Sequence, residues 1–256
     1  MPGWLRCFQA RPAAATRLIC FPHAGGSAAF YRPLAMAATE VEVHIAEYPG
    51  RADRLFEPLV DDAGQVARAV AEALGPLLDR PVALFGHSMG ATIAYETARL
   101  LTAHGTPPTH LFVSASHAAH DRPSRSAKDV LHDKDDDALV AGLVRLGGTD
   151  ARALADPELR ELVLPYVRSD FRLLEGYRHE PGPLLDLPIT AFAADADPVV
   201  TPAQVQRWAE LTTGEFTLRV HPGDHFYVVP RRDAVLAEIQ GRLTGRSTDT
   251  AAAHGW

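Results

Sequence analysis

Residues 81–105 read PVALFGHSMGATIAYETARLLTAHG. A short apolar run passes through Gly86 and Gly90 directly into a helix-forming segment that Gly105 closes. A buried strand that turns at once into a helix is half of a crossover unit, and such units build parallel sheets. The flanking sequence keeps this rhythm. RLICF (17–21), VEVHIAEY (41–48), HLFVSAS (110–116), PITAFAAD (188–195) and FTLRVH (216–221) are strand-like. Helix signals lie at 27–38, where Ser27 is the cap and Pro33 a point of kinking, at 61–78, at 202–213 and in a last helix to about 243. The chain therefore predicts one α/β domain, with a mainly parallel central sheet and helices on both faces.

Residues 117–185 break the rhythm. They contain the charged run HDRPSRSAKDVLHDKDDD, a helix near 135–146 that stops at Gly147-Gly148, and an Asp156-Pro157 start signal. Pro165 predicts two shorter helices or one that kinks there. Strands flank this stretch on both sides, so it reads as a helical lid insertion over one core. ARPAAAT (10–16) reads as a loose leader and 245–256 as a disordered tail.

Composition narrows the function. A net charge of −7 supplies no excess to neutralise phosphates, which argues against general nucleic-acid binding. No apolar stretch approaches the roughly 18 residues a membrane helix needs. The start, MPGWLRCFQARP, lacks the layout of a secretion signal. Cys7 and Cys20 are far apart and read as reduced thiols. The expectation is a cytoplasmic protein, monomeric, without metal or cofactor.

Gly86-His87-Ser88-Met89-Gly90 fits Gly-x-Ser-x-Gly in the strand-to-helix setting that a nucleophile elbow requires. The turn lifts the Ser88 hydroxyl to a helix N-terminus, where free N–H groups favour negative charge. A serine needs a base, and here the acid and histidine should follow it on loops after later strands. His225 stands on the loop after the last strand. After the preceding strand Asp195 and Asp197 compete. Asp197 is the stronger candidate, because Asp195 is closer to the strand end and placed to cap the turn. Asp224 is set aside, since neighbouring side chains diverge. The oxyanion donors should be the N–H of Met89, next to the nucleophile, and that of Ala24, on the Pro22-His23-Ala24-Gly25-Gly26 loop after the first core strand. His23 shapes that loop and is assigned no chemistry.

FPHAGGSAAFYRPLA, YPGRADR, LFGHSMGA, PYVRSDFRLLEGYRHEP, ADADPVV and GDHFYV together resemble the type II thioesterases that accompany polyketide synthases and nonribosomal peptide synthetases. The resemblance spans about residues 15–243 and implies an α/β-hydrolase fold. It matches Ser88, Asp197 and His225 to the family's triad and Ala24 and Met89 to its oxyanion donors. The family usually has a glycine in the turn before the acid, where this chain has Ala-Ala-Asp. The resemblance implies an acyl thioester on the phosphopantetheine arm of a carrier protein as substrate. It implies editing, in which stalled or incorrect acyl groups are hydrolysed in trans.

In the insertion, Leu159, Leu162, Val163, Tyr166, Val167, Phe171 and Leu174 fall at helical spacing. They would either cover an apolar acyl channel or simply pack the lid onto the core. Arg51, Arg54, Arg122, Arg125 and Lys128 would either meet an acidic carrier or form a solvated surface. The rival readings are a small-molecule esterase or lipase, an acyltransferase, and a catalytically silent binding protein on the same scaffold.

Overall fold

The computed structural model describes residues 3–122, 130–147, 154 and 156–246. Its strands are β1 (Leu5–Arg6), β2 (Thr16–Phe21), β3 (Val41–Ala46), β4 (Val82–His87), β5 (His110–Ser114), β6 (Ile189–Ala194) and β7 (Phe216–His221). They form one sheet in the order β1-β3-β2-β4-β5-β6-β7. Only the β1–β3 pair is antiparallel. The helices are α1 (Ala28–Ala37), α2 (Ala63–Leu74), α3 (Met89–Ala103), α4 (Asp136–Leu146), α5 (Pro157–Gly176), α6 (Pro202–Gln206) and α7 (Arg232–Thr244).

The period-two geometry of the strands divides the core into two layers. Ile19, Phe21, Leu84, Val113 and Ala191 face one side, where Val66 and Val70 of α2 and Ile93 and Ala98 of α3 cover them. Leu18, Cys20, Phe85, Phe112 and Phe192 face the other, under Tyr31 and Leu34 of α1 and Val235 and Ile239 of α7. The central strands are buried on both faces, so they read as continuous apolar runs.

The strand order places the site. From β2 the chain crosses by α1 to β3 on one side, and α2 then carries it back to β4 on the other. The loops after β2 and β4 diverge and leave a crevice at their C-terminal ends, where open α/β sheets bind ligands.

Three expectations change, and a fourth falls largely outside the described residues. The leader at 10–16 is tied down rather than loose: the Arg11 N–H donates to Glu42 Oε2 (2.7 Å) and the Ala14 carbonyl accepts from Arg80 (2.7 Å), while before it β1 pairs with the end of β3 and Arg54 stacks 3.9 Å from the Trp4 ring centroid. A two-residue strand is too short for periodicity to reveal. Of the two readings at Pro165, two shorter helices are excluded: α5 is one helix that contains Pro165, and its Leu164, Val167 and Phe171 pack with Leu139, Leu143 and Leu154. The segment at 202–213 is the five-residue α6 followed by a 3-10 turn over Arg207–Leu211. The expected tail falls outside the described residues except for Gly245, which closes α7 with φ +69°, and Arg246.

Candidate active site

Ser88 occupies the turn between β4 and α3 with φ 54° and ψ −116°, a conformation that side-chain-bearing residues rarely adopt. Its N–H donates to the Ser114 carbonyl at the end of β5 (2.8 Å), which pins the turn to the sheet. The two motif glycines are steric necessities. A Cβ on Gly86 would land on the Gly90 carbonyl, and a Cβ on Gly90 would land on the Phe21 carbonyl of β2. Packing of helix against strand thus selects glycine at both positions and holds Ser88 above the strand ends.

His225 and Asp197 reach this point from the loops after β7 and β6. His225 Nε2 lies 3.0 Å from Ser88 Oγ, and His225 Nδ1 lies 2.8 Å from Asp197 Oδ2. With the proton on Nδ1 toward the carboxylate, Nε2 accepts from the serine hydroxyl. The Asp197 side chain is fully buried and that of His225 is 3% exposed. Oδ1 of Asp197 accepts from the N–H groups of Val199 (2.7 Å) and Val200 (3.3 Å), so its lone pairs are satisfied as an anion. Asp195 is exposed and accepts from the Gly223 N–H (3.0 Å), capping the turn beside the histidine loop. Asp224 Oδ1 accepts from the Phe226 N–H within its own turn.

Met89 is the first residue of α3 and fully buried, and its N–H is among those a helix N-terminus leaves without an intrahelical acceptor. Ala24 lies half-buried on the loop after β2 and packs against both the core and the insertion cluster. Gly25, next to it, takes φ +79°.

Two further histidines lie beneath the site: His23, to which the motifs assigned no chemistry, and His87, which they left without a role. His87 is fully buried; its Nδ1 meets Ser114 Oγ (2.8 Å), which meets Tyr227 Oη (2.7 Å). His87 Nε2 is buried without a hydrogen-bond partner among the described residues. His23 Nδ1 meets Tyr31 Oη (3.1 Å), and its ring stands edge-on to Phe226 and Phe30. The His87 ring is 5.4 Å from that of His225 and 6.0 Å from that of His23. Burial, reinforced by the neighbouring His225, holds His87 well below the usual imidazole range and lowers His23 to about 3. Both rings are neutral at physiological pH and form an aromatic floor. Only their place beside the two glycine motifs hinted at this.

Ser88 opens into a cleft of about 400 Å³ between the β5 end and the insertion. Its wall mixes Ala115, Leu174 and Val199 with Ser116, His120 and Arg178. The apolar stripe of α5 does not form this wall. Val167 and Phe171 are buried in the insertion's own cluster, Leu159 and Leu162 are 39% and 48% exposed, and Leu174 alone of the stripe lines the cleft. The stripe therefore packs the insertion down, because a helix over a sheet must bury its apolar face first.

The basic residues also differ from expectation. Arg51 and Arg54 are each 4% exposed, and neither presents a patch. Arg51 pairs with Asp170, and Arg54 donates to the Glu47 carbonyl (2.6 Å) and Glu57. Arg122 lies half-buried and donates to Thr92 Oγ1 (2.8 Å) and Ser116 Oγ (3.1 Å). Arg125 and Lys128 lie outside the described residues.

Residues 16–243 match the family model described as the thioesterase domain. The chain belongs to the thioesterase family. This thioesterase is 43% identical over 94% of its length to a probable cadicidin biosynthesis thioesterase of Streptomyces griseus, and spans 66% of that protein. It is 41% identical to the thioesterase PikA5 of Streptomyces venezuelae, over 94% of this chain and 85% of that one. Among solved structures it superposes on the type II thioesterase BorB from the borrelidin biosynthetic cluster with a TM-score of 0.84 at 40% identity, covering 94% of this chain and 96% of that one. YbtT, a type II thioesterase of the yersiniabactin pathway, superposes with a TM-score of 0.84 at 29% identity, covering 94% and 97%. The thioesterase is thus a hydrolase of the type II kind found with polyketide and nonribosomal peptide pathways, and its sheet and helices are those of an α/β-hydrolase fold. No helix of the described residues is long and apolar enough to cross a membrane.

Proposed function

We propose that this thioesterase edits carrier proteins, hydrolysing stalled or aberrant acyl groups from the phosphopantetheine thiol, with Ser88 as nucleophile, His225 as base and Asp197 as its orienting acid. The observation that carries the reading is the hydrogen-bonded run from Ser88 Oγ through His225 to the buried Asp197, opening on the cleft. Its substrates stand on carrier proteins of a synthase that the enzyme serves in trans. The unpaired thiols of Cys7 and Cys20 fit action in the reducing cytoplasm.

The reaction has two steps. His225 Nε2 takes the Ser88 proton as Oγ attacks the thioester carbonyl, and the resulting oxyanion is held by the N–H groups of Ala24 and Met89. Collapse breaks the carbon–sulfur bond and releases the pantetheine thiol, protonated from the imidazolium, leaving an acyl-serine. Water then attacks the acyl-serine while His225 takes its proton, and the second collapse returns that proton to Ser88 and frees the acid. Asp197 holds the Nδ1–H tautomer and stabilises the imidazolium without taking the proton.

The test is a panel of acylated carrier proteins incubated with the enzyme, with acyl loss read by intact mass. Loss of the acyl mass, faster than hydrolysis of matching simple esters, is the expected result. Equal or faster ester cleavage would replace the carrier reading with that of a small-molecule esterase.

A further inference from the structure

Between Ala24 and the insertion stands a buried ion pair that the reaction scheme above does not use. Arg51, on the turn after β3, is joined to Asp170 of α5 by two parallel hydrogen bonds of 2.8 Å, and each side chain is 4% exposed. All five guanidinium N–H groups are engaged. Besides Asp170 they reach the Gly26 carbonyl (2.9 Å) and, twice, the Pro49 carbonyl (3.3 Å). Asp170 Oδ2 also accepts from the Gly25 N–H at 2.7 Å.

These bonds fix consecutive peptides of the loop that carries Ala24. The His23 carbonyl accepts from the Gly26 N–H (2.9 Å), which orients the His23–Ala24 peptide and with it the Ala24 N–H on its opposite side. The Gly25 N–H on Asp170 fixes the Ala24–Gly25 peptide. The Gly26 carbonyl on Arg51 fixes the peptide after Gly26. Helix α5 lies directly over this loop: a Cβ on Gly25 would stand 3.3 Å from Val167 Cγ2. Met89, the residue of the other donor, lines one small cavity together with Arg51 and Asp170.

We propose that Asp170, held by Arg51, is a positioning residue for the oxyanion site, so that the insertion helix is part of the catalytic apparatus and not only its cover. The proposal rests on Ala24 and Met89 being the donors. Glycine-rich loops are otherwise free to rotate their peptides. Here a carboxylate borne 145 residues away in the chain removes that freedom, and neither ion tolerates loss of the other in a buried setting. Lifting α5 off the loop releases Gly25 and lets the donor peptide turn.

Two variants and one measurement on the unmodified enzyme test this. Arg51→Met/Asp170→Leu removes both charges while preserving apolar volume, and Asp170→Asn keeps the shape of the side chain. With an acetylated carrier protein, the folded double variant should lose about 100-fold in kcat, the scale of one oxyanion donor. KM should stay within about threefold, as for an interaction made only in the transition state. The pH profile should not move, because the base is untouched. A trifluoromethyl ketone analogue of the acetyl-pantetheine thioester should bind more weakly in proportion to the loss in kcat/KM. Asp170→Asn should fall between the two enzymes. In the unmodified protein, the Gly25 amide proton should be shifted downfield and exchange slowly. A folded variant with unchanged kcat, a loss confined to KM, a displaced pH profile, or a Gly25 amide exchanging at free-loop rates would each overturn the proposal. Ser88→Ala in parallel separates the two readings. Retained turnover in that variant defeats the reaction scheme itself, whereas an inactive Ser88→Ala beside an unaffected double variant defeats only the positioning role.

Discussion

The sheet-edge loops and the insertion over them are held in different ways. The loops bearing Ser88, Asp197 and His225 are pinned by backbone bonds to strand ends and to one another: Ser88 to the Ser114 carbonyl, Asp195 to the His221 carbonyl, and Ala196 to the Gly223 carbonyl of the His225 loop. The insertion is held by side chains. It has a six-residue apolar cluster of its own, the Arg51–Asp170 pair, and Glu175, which accepts from the Leu131 N–H (2.8 Å) and meets His132 Nδ1 (2.6 Å). Backbone pinning of the first region places reacting atoms to within a hydrogen bond. The insertion is joined to the core through the Arg51–Asp170 pair and through Leu173, buried in the main core cluster, so substitution at those points should alter its seating. The proposed triad thus stands on the backbone-pinned region, and the Asp170 contact proposed to steady the Ala24 loop comes from the side-chain-held one.

The sharpest break of this comparison is Ser88→Ala, which should lower turnover on an acylated carrier by about 10⁶-fold, measured by intact mass, while thermal unfolding stays near that of the parent. Asp197→Asn should lower kcat by about 10⁴-fold through loss of the correct imidazole tautomer, whereas Asp195→Asn, altering only a turn cap, should stay within about tenfold. The reverse ranking would reassign the acid.

Phe171→Ala tests the insertion. It should destabilise by about 3–5 kcal/mol through the cavity it leaves, read by denaturant unfolding. If the insertion is separable, limited proteolysis of that variant should cut within 117–185 before the sheet, and simultaneous loss of both regions would contradict the division. Ser88→Gly should do the opposite and raise stability by about 1–3 kcal/mol, since only glycine adopts φ 54°, ψ −116° without strain.

Acid should weaken the sheet region first. Burial lowers His23 to about 3 and His110 to about 4, below the 6.5 of an exposed imidazole. Between those values and pH 6.5 the unfolded chain binds protons that the native state refuses. The stability these residues contribute is present above pH 6.5 and lost as pH falls, toward about 4 for His110 and about 3 for His23. Denaturation midpoints should drop over that window, and His110→Gln, retaining a partner for Thr190, should flatten the slope. The smallest effect concerns the thiols. Exposed Cys7 should react with a thiol reagent in the native protein and buried Cys20 only after unfolding.

Much of this was legible in the sequence because it is local. FTLRVH is strand β7 from its first residue to its last, Asp156-Pro157 caps α5 as its chemistry dictates, and Gly147 closes α4 at φ +92°. Gly86 and Gly90 announce a turn of unusual tightness, and loop order singled out His225. Other features depend on groups far apart in the chain. Asp195 and Asp197 have the same chemistry two residues apart; their order along the loop favoured Asp197, and the path of the β6 loop turns Asp195 toward Gly223 and Asp197 toward His225. Arg51 and Arg54 read as surface cations until Asp170 and Trp4 were brought to them. The α5 stripe announced burial without naming the surface it would cover.

The sequence by itself therefore determined the sheet, the elbow and the order of its partner loops, since strand period, glycine sterics and capping act over a few residues. Tertiary structure alone decided that His23 and His87 stay neutral and that a carboxylate of the insertion holds the Ala24 loop. Those outcomes follow from burial and from contacts between separate loops, the longest of them the 145-residue reach from Gly25 to Asp170.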